Sequence, residues 1–221
     1  MLKESVKAVI FDMDGVLVDT EPLWRKAMIT GFLEAGIDFT EDDCKSTTGQ
    51  RFDEVVGYWH KKRPFKNKTK EQLHDDIIED LCSMILSENV EMKGVHSMLQ
   101  RIKENGIKTG LATSSNHKII KTVLKKINGH DYFHSVVSAE GLQFGKPHPE
   151  VFLLCAQNLG VHPNQCLVFE DSVNGVIAAK AAMMRVVAVP DPLHFHDPRF
   201  SIADLKIENL EKFYESDHNF F

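Results

Sequence analysis

The chain has 221 residues, 43% of them apolar and 26% charged, and a formal net charge of −6. That length holds one large domain or a core with a smaller appended one, and the composition is that of an ordinary globular protein. The acidic balance argues against a nucleic-acid binder, which needs clustered Lys and Arg. The lysine-rich stretches Lys61 to Lys70 and Lys118 to Lys126 are diluted by other residues and read as solvated helix faces. No apolar run approaches the roughly 20 residues that span a bilayer, so no membrane partner is expected. Cys44, Cys82, Cys155 and Cys166 form no C-x-x-C pair, which removes support for structural zinc or a disulfide framework. Met1 to Lys7 carries no apolar signal-peptide core, and a reducing cytoplasm is the expected location.

Val6 to Phe11 is a short apolar, β-branched run that stops at Asp12, the pattern of a buried parallel strand. The next stretch, about Glu21 to Glu91, reads as all helix: Pro22 to Ala35, Asp53 to Lys62 and Thr69 to Ser87. Leu23, Ala27, Ile29, Phe32 and Leu33 predict an imperfect apolar face on the first helix. Leu73, Ile77, Ile78, Leu81, Met84 and Ile85 predict a cleaner one on the last. From Val95 onward, helical spacings that stop at Asn105-Gly106, Asn128-Gly129 and Gly160 alternate with short apolar runs. Those runs are Lys108 to Ala112, Val136 to Ser138, Cys166 to Phe169 and Arg185 to Val189. The expectation is an α/β fold: a Rossmann-like parallel sheet core, residues 1–18 and 90–221, with an inserted all-helical cap at 19–89.

The chemistry starts at Phe11-Asp12-Met13-Asp14-Gly15, two carboxylates placed directly after a buried strand. In doubly wound sheets ligands bind at the carboxyl ends of strands. Thr113-Ser114-Ser115, Lys146-Pro147 and Glu170-Asp171-Ser172 each fall at or just beyond a predicted strand or turn on the same side. One site would then hold an acidic cluster, a hydroxyl and an ammonium. A phosphate beside such a cluster needs a hard cation to offset the repulsion.

This ordered set resembles the four motifs of the haloacid dehalogenase superfamily, almost end to end, and the helical insert is similar to that superfamily's helical cap. Thr48-Gly49-Gln50-Arg51-Phe52-Asp53-Glu54-Val55-Val56, Glu170-Asp171-Ser172-Val173-Asn174-Gly175 and Asp197-Pro198-Arg199-Phe200 are similar to segments of the hexitol, or 2-deoxyglucose-6-phosphate, phosphatases. The resemblance implies a Mg²⁺-dependent phosphatase of a small phosphorylated metabolite, a hexose 6-phosphate, 2-deoxyglucose 6-phosphate or hexitol phosphate. Asp12 is implied as nucleophile and Asp14 as general acid and base. Thr113 and the Ser114 N–H would bind phosphoryl oxygens, and Lys146 would neutralise the phosphoryl group together with Asp12. The metal would be held by Asp12, Asp171, the Asp14 carbonyl and Glu170, the last directly or through water. Trp24, Arg51, Tyr58 and Trp59 are candidate sugar contacts from the cap, with helix-core packing the expected role for at least some of these aromatics.

Smaller features have plainer readings. Ser115 is expected to cap a helix starting near Asn116, and Asn174-Gly175 to shape a loop-to-helix entry. His194 and His196 read as a solvated loop, and His148 as facing a helix start. Rival readings are a β-phosphoglucomutase-like sugar phosphomutase, a binding module without catalysis, and a dehalogenase. In the mutases a histidine follows the Asp-Thr pair five residues from the Asp; here the pair is Asp19-Thr20 and that position is Trp24. Their lysine after the second motif is replaced by Asn116 and His117. Both departures favour hydrolysis over isomer exchange.

Overall fold

The computed structural model describes residues 5–47 and 50–215; Thr48 and Gly49 of the cap segment, and the first four residues, lie outside them. Six strands form one sheet: β1 (Ala8–Phe11), β2 (Lys108–Thr113), β3 (Ser135–Ser138), β4 (Cys166–Glu170), β5 (Arg185–Ala188) and β6 (Leu205–Lys206). Their order is β3-β2-β1-β4-β5-β6, and every pairing is parallel. Successive side chains alternate between two apolar layers. Val9 and Phe11 face α5 (Val95–Glu104) and α6 (His117–Lys126), while Ala8 and Ile10 face α7 (Glu150–Leu159) and α8 (Val173–Ala181). Burial on both faces explains why the strands read as continuous apolar runs. The chain leaves β1 toward β2 on one side and reaches β4 on the other. The gap between the β1 and β4 ends is therefore the topological switch point.

The helical block is present as α1 (Glu21–Glu34), α2 (Glu41–Lys45), α3 (Phe52–Lys62) and α4 (Lys70–Ser87). Thr40 and Thr69 start α2 and α4 with capping boxes closed by Asp43 and Gln72. Five-residue α2 has no periodicity to announce it and was not expected, and neither was two-residue β6. The buried face of α1 is Leu23, Ala27, Met28, Gly31 and Phe32; Leu33, expected inside, is exposed. On α4 Leu73, Ile77, Ile78, Leu81 and Ile85 are buried as expected, Cys82 joins them, and Met84, expected with them, is half-buried.

Two contacts set how the block sits. The segments that enter and leave it pair with each other, Asp19 N donating to the Val90 carbonyl at 2.7 Å and Met92 N to the Leu17 carbonyl at 3.0 Å. Helix α4 lies along α6, where Lys118 pairs with Glu79 and Lys126 Nζ donates to the Leu86 carbonyl at 2.9 Å. Inside the block, Phe32 stacks on Phe39 at 4.2 Å and meets Phe65 edge-on at 6.2 Å. No helix among the described residues is long and apolar enough to cross a membrane.

Phe32 is fully buried at the centre of that aromatic cluster. Phe32→Ala is expected to cost about 3–5 kcal/mol, read as a lowered urea midpoint.

Candidate active site

The site begins where β1 ends. Asp12 N donates to the Phe169 carbonyl at 2.9 Å, which carries the β1–β4 ladder up to the switch point and fixes the Asp12 side chain there. Asp12 is 6% exposed and Glu170, the last residue of β4, 1% exposed. Lys146, from the loop before α7, donates to Asp12 Oδ1 and to Glu170 Oε1, both at 2.6 Å. Glu170 Oε2 accepts from Ser172 N at 2.7 Å and Ser172 Oγ at 3.0 Å. Ser172 is also the N-cap of α8, accepting from Gly175 N, so the helix start and the buried glutamate share one serine. Any Cβ at Gly175 would collide with the Glu170 carboxylate. Gly15 is required twice, by its φ of +79° and because a Cβ there would collide with Asp171.

Oxygens of Asp12, Glu170 and Asp171 lie within 4.8 Å of one another. Burial, only partly offset by Lys146 and reinforced by Glu170 and Asp14, pushes the Asp12 carboxyl up to about 7. Burial and the neighbouring Glu170 and Asp12 push Asp171 well above the usual carboxylate range. For Lys146 burial acts downward, but the two carboxylates it touches outweigh it and raise the ammonium above its ordinary value. Two buried carboxyls and the half-buried Asp171 against one ammonium make a donor set short of positive charge. Hard oxygens at this spacing fit Mg²⁺.

Asp14 belongs to a different set of contacts. Ser115 Oγ donates to Asp14 Oδ2 at 2.7 Å, and Thr20 Oγ1 donates to Asp14 Oδ1. Thr113, at the end of β2, accepts from Ser115 N at 3.1 Å, which leaves its O–H free to donate elsewhere. Asp12, Asp14, Thr113, Ser114, Lys146, Glu170 and Asp171 all line one cavity of about 640 Å³, closed on its far side by Trp24, Arg51 and other residues of the helical block.

Several expectations change. Asn116, not Ser115, caps α6, accepting from Ile119 N at 3.0 Å, and Ser115 is released to hold Asp14. Trp59 is 1% exposed and packs on Phe39 at 5.1 Å; neither it nor the half-exposed Tyr58 lines the cavity. Trp24 does line it, against Phe52 at 5.0 Å. His194 and His196 are exposed and join no metal cluster among the described residues, and His148 Nδ1 lies 3.8 Å from Glu150 at the start of α7. Reasoning from sequence assigned no role to Thr20, Ser172 or the collision constraint on Gly175. The Ser-x-x-Gly pattern at a helix start signals the second. Nothing local signals that Thr20 reaches back six residues to Asp14.

The family described as haloacid dehalogenase-like hydrolase matches residues 6–182. Hexitol phosphatase B of Escherichia coli K12 is 39% identical over 207 residues, 93% of each chain. The phosphorylated carbohydrates phosphatase of Thermotoga maritima is 36% identical over 180 residues, 80% of this chain and 82% of its own. Among solved structures, β-phosphoglucomutase from Clostridium difficile superposes with a TM-score of 0.79 at 29% identity, covering 94% of this chain and 92% of its own.

Gly175→Ala forces the Glu170 carboxylate out of its place between Lys146 and Ser172. A loss of about 1–3 kcal/mol is expected from the overpacking, with a fall in phosphatase activity. Gly57→Ala in α3, where a Cβ meets nothing within 4 Å, is the control and should be neutral or slightly stabilising in the same thermal melt.

Proposed function

This chain belongs to the haloacid dehalogenase-like hydrolases and is a phosphatase, and we propose that it hydrolyses a small sugar or polyol phosphate through an aspartyl-phosphate on Asp12. The substrates meant are a hexose 6-phosphate, 2-deoxyglucose 6-phosphate or a hexitol phosphate. The observation that carries the reading is the division of the two carboxylates: Asp12 under Lys146 beside Glu170 and Asp171, Asp14 turned to Ser115 and Thr20.

Asp12 attacks phosphorus in line, and the bond to the sugar oxygen breaks as Asp14 delivers a proton to that oxygen. Asp14, now a base, takes a proton from water; the water oxygen bonds to phosphorus, the bond to Asp12 breaks, and inorganic phosphate leaves. Phosphoryl transfer passes through a loose transition state, so the protein's contribution is position and charge. Thr113 O–H and Ser114 N–H donate to the equatorial oxygens, and Lys146 holds Asp12 in line while offsetting charge. Asp12, Asp171 and the Asp14 carbonyl would hold Mg²⁺, which would supply charge neutralisation and alignment when bound. Both Glu170 oxygens already accept hydrogen bonds, which favours its reaching the ion through water.

The domain division follows the same reading: core 1–18 and 90–221, cap 19–89, with the paired segments at Leu17–Met92 and Asp19–Val90 as the pivot. Closure excludes bulk water during transfer. It requires α4 to slide on α6, because that contact ties the block to the core. The buried thiols of Cys82, Cys155 and Cys166 suit a reducing cytoplasm.

A sugar phosphomutase is the second reading, because a β-phosphoglucomutase is among the similar structures. Trp24 weighs against it. An indole only donates, so at that position it cannot serve as an imidazole would. Lys118, the first lysine past the second motif, is paired with Glu79 on α4.

Asp12→Asn is expected to bring phosphate release to background with the fold intact by circular dichroism. Asp14→Asn should lose at least about a hundredfold, most with poor leaving groups; near wild-type turnover there contradicts its role. Excess chelator should abolish activity, and Ca²⁺ should restore it poorly because its larger, looser shell misplaces the nucleophile. A phosphorus NMR time course separates the two readings: inorganic phosphate supports the phosphatase, and exchange of β-glucose 1- and 6-phosphates without phosphate release supports the mutase.

A further inference from the structure

Ser115, which holds Asp14, is itself held at its backbone on both sides. Its N–H donates to Thr113 Oγ1 at 3.1 Å, and its carbonyl accepts from Ser138 Oγ at 2.6 Å. Ser138 ends β3, in register with Thr113 of β2, and is 5% exposed. It does not line the cavity, although Thr113, Ser115 and Glu140 do. A hydroxyl has one proton to give. Ser138 gives its proton to the Ser115 carbonyl, while its oxygen accepts from Glu140 N at 2.9 Å. Glu140 Oε2 in turn accepts from the N–H of His117, the first residue of α6, at 3.0 Å. Between them Ala139 N donates to the Thr113 carbonyl at 2.8 Å. The end of β3 therefore grips the β2–α6 loop by backbone groups on either side of Asn116.

Asp14 has two hydroxyl donors, and they come from different parts of the chain. Thr20, at the entry to the helical block, donates to Oδ1, and Ser115, on the sheet side, donates to Oδ2 at 2.7 Å. A short side chain such as serine aims no better than its backbone is placed. An acid–base carboxyl must point at the leaving oxygen, and a misplacement of about 1 Å can cost about a hundredfold. Removing the Ser138 hydroxyl would strip a partner from the Ser115 carbonyl and another from Glu140 N. Buried polar groups left unmatched in this way drive local rearrangement.

We propose that Ser138 is a positioning residue for the acid–base step: it fixes Ser115, and through Ser115 the aim of Asp14, without touching substrate. This rests on the phosphatase reading and on the part Asp14 plays in it.

The test uses the whole enzyme with Mg²⁺ and reads kcat/KM, which covers every step through departure of the leaving group. Glucose 6-phosphate and sorbitol 6-phosphate release alkoxides that need a proton, whereas p-nitrophenyl phosphate releases a stable phenolate. Ser138→Ala should lower kcat/KM at least about tenfold for the first two and by less than about threefold for the third. An equal loss on all three, or no loss, overturns the proposal. Ser138→Cys, close in shape and a weak donor, should show the same pattern at smaller amplitude. It decides the matter where Ser138→Ala does not fold, and wild-type ratios in a folded Ser138→Cys overturn the assignment. Because Ser138 acts through Ser115, adding Ser138→Ala to Ser115→Ala should cost less than about threefold more. Losses that multiply independently overturn it. A wild type that leaves both glucose 6-phosphate and sorbitol 6-phosphate intact sinks the phosphatase reading and this inference with it. An active wild type matched by Ser138→Ala overturns this inference alone.

Discussion

Three carboxyls, Asp12, Glu170 and Asp171, meet at the sheet's switch point with, among the described residues, one ammonium in contact, that of Lys146. Burying charge is costly unless it is paired and hydrogen-bonded, and removing one partner leaves the others exposed to the full penalty. Most local features around the site follow from meeting that cost. Glu170 is satisfied at both oxygens, by Lys146 on one and Ser172 on the other. Gly175 is bare because the carboxylate occupies the space of its Cβ, and Gly15 is bare because Asp171 occupies the space of its own. What hydrogen bonds leave over is an excess of negative charge, and a hard divalent cation is the simplest species that removes it.

The parallel sheet makes this convergence possible. Asp12 follows β1 and Glu170 ends β4, and those strands are neighbours although more than 150 residues separate them in the chain. Adjacent strand ends bring acids together without any loop having to be long. The same geometry leaves the opening above the sheet uncovered, and the helical block inserted between β1 and β2 covers it. The block is joined through a paired crossing, a helix contact and the hydrogen bonds of Thr20 to Asp14 and Arg51 to the Leu142 carbonyl. Its Trp24 and Arg51 line the cavity opposite the acids. In the proposed function, chemistry and selection are therefore carried by different parts of the chain.

How far this was legible varied with the range of the interaction. The strands β1, β2 and β4 were legible because burial on both faces leaves a continuous apolar run. The helix ends at Asn105, Asn128 and Gly160 were legible because left-handed or terminating residues mark them locally. The acids, Thr113 and Lys146 were legible as an ordered set at strand ends. Helix α2 was not, since five residues carry no period. Trp59 is ambiguous from sequence because an aromatic on a helix looks the same whether it faces a cavity or Phe39. Ser115 was misjudged because two adjacent residues, Ser115 and Asn116, could each cap α6, and only the fold shows that Asn116 does.

The separation of Asp12 from Asp14 is the last consequence of local geometry. In an extended strand residues two apart point to the same face, so continuing β1 would set Asp14 beside Asp12 and add a fourth carboxylate to the cluster. The chain turns instead: Leu17 N donates to the Met13 carbonyl at 2.9 Å, Gly15 N to the Val18 carbonyl at 2.8 Å, and Gly15 adopts a positive φ. That turn delivers Asp14 to two hydroxyls rather than to the lysine. Two like residues two positions apart thus receive unlike surroundings, one under an ammonium and one held by neutral donors. The proposed roles of nucleophile and acid–base group require that difference, and a single glycine-centred turn provides it.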